Sequence, residues 1–139
     1  MTGPGRELLE RKLAFLERFL NDLGTFEPLD REARRAQHYA IERLLQLLCE
    51  AAADVGLQIL RRKTGEGAGS YREIFTRLRD GAGLPDELAE GLIQACAMRN
   101  VLTHLYDVID LDRVADAVEP ALRLYRRFLS WALEHLPGR

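Results

Sequence analysis

Four polar residues suited to acid–base chemistry lie within eight positions of one another: Arg99, Asn100, His104 and Tyr106. A histidine titrates near neutrality and can take or give a proton, and an arginine presents a fork of donors to phosphate oxygens. Chemistry at a phosphate without a metal needs a base, an acid for the leaving oxygen and a cation for the charge on phosphorus. These residue types make Arg99 and His104 candidate catalytic residues, with Asn100 orienting His104 or the substrate.

The spacing of these residues limits how they can act together. Residues four apart share a helix face, whereas residues five apart are rotated by about 140°. Asn100 and His104 therefore face the same way, while Arg99, Thr103 and Tyr106 occupy an adjoining stripe. We expect Arg99 and His104 to meet only if the helix ends or bends near His104, or if two chains contribute to one site.

Apolar residues at helical spacing predict three helices before this cluster. The first spans residues 7–23, and the second, N-capped by Asp30, runs to about Lys63. A helix of that length needs neighbours along all of it, and a second copy of the chain is one way to supply them. After a glycine-rich loop at 64–69, Ser70 and Glu73 form a capping box for a short third helix that ends at 81–83.

Two further helices complete the prediction. Pro85 opens the fourth, which carries the polar cluster. Asp110 or Asp112 starts the last, which Pro120 bends and which closes at 137–138. No strand-like alternation appears. The sequence therefore predicts an all-α, up-and-down bundle of four to five helices that dimerises, in a single domain over residues 1–139.

Composition and charge exclude several classes of protein. Of the 139 residues 47% are hydrophobic and 30% charged, which is typical of a globular protein, and a net charge of −2 is unlike that of proteins that coat duplex DNA. Cys49 and Cys96 have no metal-ligand or CxxC spacing and are predicted to be buried, reduced thiols. Neither a membrane span nor a signal peptide is found, which predicts a cytoplasmic protein. We expect no metal and no cofactor. Two basic groups are interpreted as solvated helix ends, with positive patches as the alternative: Arg61, Arg62 and Lys63, and Arg123, Arg126 and Arg127.

The string from Arg99 to Asp110 resembles the R-x4-H-x-Y signature of the HEPN superfamily in its HepT-like branch. Arg99, Asn100, His104 and Tyr106 fall on the positions of that pattern, and Asp110 follows as in many members. The resemblance extends over about residues 30–136. It implies a metal-independent endoribonuclease toxin that works as a homodimer with a composite cleft, which would bring Arg99 and His104 together.

The resemblance also implies a partner and a modification. The expected partner is an MntA-type minimal nucleotidyltransferase antitoxin, which in related systems attaches AMP to the motif tyrosine, here Tyr106. The expected substrate is RNA, with tRNA among the candidates. A nucleotide on Tyr106 would block the cleft by its bulk and negative charge.

Each of these residues also has a structural interpretation. His104 could be a histidine near a helix end, Tyr106 a core or interface aromatic, and Arg99 a surface ion-pair partner of Glu90 or Asp107. For the whole protein, the alternatives are a non-catalytic substrate-binding subunit of a nucleotidyltransferase and a purely structural dimerisation module. The binding subunit has no need for Arg99 and His104 together, so the intact pair favours the nuclease.

Overall fold

The computed structural model describes the backbone of residues 4–104 and 110–136, and the side chains of residues 5–98 and 110–136. This part of the chain forms seven α-helices and no strand, which confirms the all-α prediction. The helices are α1 (Pro4–Gly24), α2 (Arg31–Ala36), α3 (His38–Thr64), α4 (Tyr71–Ala82), α5 (Asp86–His104), α6 (Leu111–Asp116) and α7 (Val118–Leu133).

The core lies around α3, which contacts every other helix. The predicted apolar stripe of α1 is buried throughout: Leu9, Leu13, Leu16, Leu20 and Leu23 are each at most 4% exposed. This stripe packs against α3 and α7, while α4 and α5 cover other faces of α3. The long central helix thus finds its neighbours within one chain.

The segment from Asp30 to Lys63 forms two helices, so the prediction of one continuous helix was wrong. Asp30 does act as the N-cap, since its carboxylate accepts a hydrogen bond from the Ala33 N–H at 2.8 Å. At Gln37 the backbone leaves the α-helical region (φ −102°, ψ 22°) and its N–H bonds back to the carbonyls of Ala33 and Arg34. That tightened turn separates α2 from α3 and lets α2 pack on α6.

The predicted last helix is also divided in two. Asp110 caps α6, since its carboxylate accepts from the Arg113 N–H at 3.1 Å. α6 ends at Asp116, and after Ala117 a new helix, α7, begins at Val118. Pro120 lacks the N–H that would bond to the Asp116 carbonyl, so a continuous helix would lose that bond. Pro120 therefore lies in the first turn of a new helix instead of bending an old one.

Helix α4 begins at the predicted capping box and packs closely on α3. The Ser70 hydroxyl accepts from the Glu73 N–H at 3.1 Å, while the Glu73 carboxylate accepts from the Gly69 N–H. A Cβ on Gly56 of α3 would lie 2.9 Å from both Ile74 Cγ2 and Leu78 Cδ1 of α4. The close approach of the two helices therefore depends on glycine at this position.

The two cysteines join α3 to α5 inside the core. Cys49 and Cys96 are buried, as predicted, but they form a disulfide with their Cα atoms 5.7 Å apart, so the prediction of reduced thiols was wrong. They are separated by 47 residues in sequence. Because only the packing of α3 against α5 makes them neighbours, their sequence spacing carries no sign of the bond.

Candidate active site

The predicted catalytic residues lie at the end of α5. Arg99, Asn100 and His104 occupy its final two turns, and His104 is its last residue. The side chains of these three residues, and all of Tyr106, lie outside the described residues. The described backbone of α5 reaches His104, and the meeting of Arg99 and His104 stays a prediction.

Helix α5 runs antiparallel to α3. The Cys49–Cys96 disulfide shows which residues of the two helices lie side by side. Helix α5 starts a few residues after α4, and Gly81 of α4 lies beside Thr64 at the end of α3. Ten residues into α5, Cys96 has reached the level of Cys49. The end of α5 that carries Arg99, Asn100 and His104 is therefore directed toward the beginning of α3.

Three arginines of α2 hold α6 and the start of α7, the elements that follow the 105–109 segment. They form ion pairs across the interface: Arg31 with Asp116, Arg35 with Asp112, and Arg34 with Glu119. Hydrogen bonds from Arg35 and Arg34 lower the pKa of Asp112 and Glu119, respectively, so both stay ionised at neutral pH. α2 thereby anchors the chain where it leaves the motif.

Arg34 is the buried member of this set, with its side chain 9% exposed. Besides both oxygens of Glu119, it donates to the carbonyls of Phe26 at 3.1 Å, Glu27 at 2.7 Å and Ala115 at 3.2 Å. Sequence reasoning missed this cluster. The available signal was charge spacing, because basic residues at 31, 34 and 35 match acidic residues at 112, 116 and 119 on another predicted helix.

A groove of about 560 Å³ lies between α5, α6 and α7 and reaches Met98, the residue before Arg99. Its lining is mostly apolar and includes Leu45, Ala95 and Tyr125, while Arg113 and Asp116 lie at its polar side. Burial raises the pKa of the Tyr125 hydroxyl, which therefore stays protonated and takes no part in acid–base chemistry.

The basic run Arg61, Arg62 and Lys63 lies in the last turn of α3, at the opposite end of the bundle from His104. Its distance from His38 along α3 is roughly 35 Å at 1.5 Å per residue. Cations there are favoured by the helix dipole, which supports the interpretation as a solvated helix end.

The described part of the chain offers neither a metal site nor a membrane span. Among the described side chains, those of residues 5–98 and 110–136, no three of His, Cys, Asp or Glu are placed to hold a metal ion. Over the described backbone, residues 4–104 and 110–136, no helix is long and apolar enough to cross a membrane.

The bundle has the fold of HEPN toxins. A solved structure of tri-AMPylated Shewanella oneidensis HEPN toxin in complex with MNT antitoxin superposes with a TM-score of 0.79 at 22% identity, covering 91% of this chain and 97% of that chain. A structure of a mutant form of the toxin–antitoxin MntA-HpeT gives 0.78 over 92% of this chain and 98% of that chain, also at 22% identity. At these identities the likeness establishes the fold.

The family follows from the sequence comparisons. Residues 9–131 match the model described as Ribonuclease HepT-like, and the chain belongs to that family. The tRNA nuclease HepT of Aphanizomenon flos-aquae is 34% identical over 129 residues, which cover 90% of this chain and 87% of that protein. The mRNA nuclease HepT of Shewanella oneidensis is 29% identical over 85 residues, or 61% of this chain and 64% of that protein. The resemblance inferred from the motif is thereby confirmed.

Proposed function

We propose that this protein is a metal-independent endoribonuclease toxin in which Arg99 and His104 are catalytic. The observation that carries the proposal is their R-x4-H spacing at the end of α5 in a chain of the HepT-like family.

In the proposed reaction the ribose 2′-oxygen bonds to phosphorus as the bond from phosphorus to the 5′-oxygen breaks. His104 takes or gives one of the two protons that move, Arg99 binds the phosphate oxygens, and Asn100 orients His104 or the RNA. The products are a 2′,3′-cyclic phosphate and a 5′-hydroxyl. Recovery of 5′-phosphate ends would refute this chemistry.

The proposed active form is a homodimer with a composite site, which also supplies the second way for Arg99 and His104 to meet. Light scattering on the purified protein is expected to give twice the mass of one chain. A strictly monomeric nuclease would refute the composite site while leaving cleavage itself intact.

Cleavage of RNA by purified protein in EDTA is the first test, with His104→Ala and Arg99→Ala as the inactivating variants. Arg127→Ala is the matched control, because Arg127 is exposed on α7 and outside the proposed site. We expect cleavage by the wild type and by Arg127→Ala, and its loss in the other two. If the folded, unmodified wild type cleaves neither tRNA nor mRNA, a non-catalytic partner of a nucleotidyltransferase becomes the better description.

We take tRNA as the first substrate to assay, because the tRNA nuclease is the relative with the higher identity and coverage. The cytoplasm, where tRNA and mRNA are used, is the proposed location. Since cytosolic thiols are usually reduced, the assays should be run with the Cys49–Cys96 bond both intact and reduced.

The proposed partner is an MntA-type nucleotidyltransferase antitoxin that adds AMP to Tyr106. Incubation with such an enzyme and ATP labelled in the α-phosphate is expected to label the wild type and Tyr39→Phe, since Tyr39 is merely an exposed tyrosine. Tyr106→Phe should take no label. Equal labelling of Tyr106→Phe would place the modification elsewhere.

A further inference from the structure

A second histidine is held by a carboxylate in the first turn of α3. His38 Nδ1 lies 2.9 Å from Glu42 Oε2, and the two side chains are 17% and 18% exposed. An ionised carboxylate only accepts, so Nδ1 is the donor and Nε2 of the neutral ring is left as an acceptor. Among the described residues Nε2 makes no hydrogen bond. A histidine oriented through Nδ1 with Nε2 open is arranged for proton transfer.

The His38–Glu42 pair lies on the stripe of α3 that meets α5. Positions 38, 42, 45 and 49 recur at i, i+4, i+7 and i+11, which is one face of a helix. On that face Cys49 bonds to Cys96 of α5, and Leu45 lines the groove shared with Met98. The pair continues this contact stripe toward the end of the bundle that carries the motif.

The antiparallel packing brings His38 to nearly the same level as His104. From the Cys49–Cys96 bond, His38 lies eleven residues back along α3, about 16 Å, and His104 lies eight residues forward along α5, about 12 Å. Both displacements point to the same end of the bundle. Measured along the two helices from the disulfide, the backbone positions of His38 and His104 therefore differ by roughly one helical turn or less.

A role in helix initiation does not explain His38. The first turn of a helix favours acidic residues, yet α3 has none there, and its N-cap residue Gln37 makes no capping hydrogen bond through its side chain. The ring is also covered on one side by Tyr39, with centroids 4.1 Å apart. The imidazole is thus contacted on two sides, by Glu42 and by Tyr39.

We propose that His38, oriented by Glu42, makes one of the two proton transfers of RNA cleavage, and that His104 makes the other. One imidazole accepts the proton of the 2′-hydroxyl as that oxygen bonds to phosphorus. The other donates a proton to the 5′-oxygen as its bond to phosphorus breaks, so that protons and electron pairs balance without a further reactant. The inference rests on the proposed nuclease function.

The test uses an oligonucleotide with a single ribose, prepared with either oxygen or sulfur at the bridging 5′ position of the cleaved bond. A sulfur leaving group needs no acid, so it restores the rate of a variant that lacks the acid. His38→Gln is expected to lower kcat on the oxygen substrate about 100-fold or more with KM nearly unchanged, and Glu42→Gln about tenfold. Arg6→Gln, which breaks another i, i+4 ion pair, is the matched control and should match the wild type.

The sulfur substrate should restore cleavage in one histidine variant and not in the other, which assigns the acid and the base. Wild-type kcat in folded His38→Gln, a change in KM alone, or equal responses of both variants to sulfur would overturn the inference. If His38→Gln does not fold, the cleavage rates of Glu42→Gln and His38→Asn on the oxygen and sulfur substrates are compared instead. A folded wild type that cleaves neither tRNA nor mRNA refutes the proposed function itself, which is a distinguishable result.

Discussion

The Arg34–Glu119 pair is expected to contribute far more to stability than the neighbouring pair between Arg31 and Asp116. Both join α2 to the C-terminal helices and both are bidentate, but the Arg34 side chain is 9% exposed whereas Arg31 and Asp116 are 58% and 54% exposed. Replacing Arg34 by Met removes the bonds to Glu119 and to the carbonyls of Phe26, Glu27 and Ala115. The Phe26 carbonyl still accepts from the Leu29 N–H. The two pairs therefore form a matched comparison of buried and exposed charges.

The expected sizes follow from burial. Removing one partner of a buried pair costs about 3–5 kcal/mol, and the lower end applies because Glu119 is 40% exposed and can be hydrated. We therefore expect Arg34→Met to lower the free energy of unfolding by about 3 kcal/mol. Glu119→Gln keeps one acceptor and should cost about 1–2 kcal/mol. Arg31→Met should lower the free energy of unfolding far less than Arg34→Met does, because exposed ion pairs contribute little to stability.

Urea unfolding at pH 7, followed by circular dichroism, measures these differences. The pKa of Glu119 lies below its usual value of 4.5, chiefly because of the hydrogen bond from Arg34. Its contribution is therefore complete above about pH 4.5 and is lost as the pH falls through the lowered pKa. The gap between wild type and Glu119→Gln should narrow there. If Arg34→Met costs no more than Arg31→Met, the reasoning from burial is refuted.

Three further changes test the packing and titration of the fold. Gly56→Ala should lower the free energy of unfolding by about 1–2 kcal/mol, because its Cβ would collide with two buried side chains of α4, whereas Gly91→Ala meets one movable side chain and should cost less; equal costs would contradict this. Reduction of the Cys49–Cys96 bond should lower the free energy of unfolding by up to about 4 kcal/mol for a loop of this length, and a variant with alanine at both positions should not respond to the reductant. Burial and a nearby lysine lower the pKa of His135 below 6.5, so stability should fall as the pH decreases from 6.5 through the lowered pKa; His135→Phe should lack that part of the pH dependence, and an unchanged slope would contradict the assignment.

The existence of the helices could be predicted from sequence, but two of their interruptions could not. The periodic burial of the α1 leucines follows from spacing alone. The breaks at Gln37 and Ala117 carry neither glycine nor proline, and the apolar pattern continues across both. The proline that favours the second break lies three residues downstream, at 120. The spacing of apolar residues therefore predicted one continuous helix at each place where the backbone forms two.

Arg99 and His104 could be proposed from the sequence because they lie within one short string, and their catalytic roles stay predictions. The contacts around the end of α5 could not be predicted, because they join distant segments. The partners Arg34 and Glu119 are 85 residues apart in sequence, and the disulfide spans 47. His38 and Glu42 are only four residues apart, but that spacing alone gave no reason to single them out. Their relation to His104 required the direction in which α5 crosses α3.

The pairing of the α2 arginines bears on how the protein would meet RNA. Arg31, Arg34 and Arg35 each bond to a carboxylate, so using one for a phosphate would mean breaking an existing ion pair. The basic run at 61–63 lies at the far end of α3, and the chain as a whole has a net charge of −2. Long-range attraction to phosphate is therefore weak. In the proposed nuclease, we therefore expect neither the α2 arginines nor the 61–63 run to add to the phosphate contact made by Arg99.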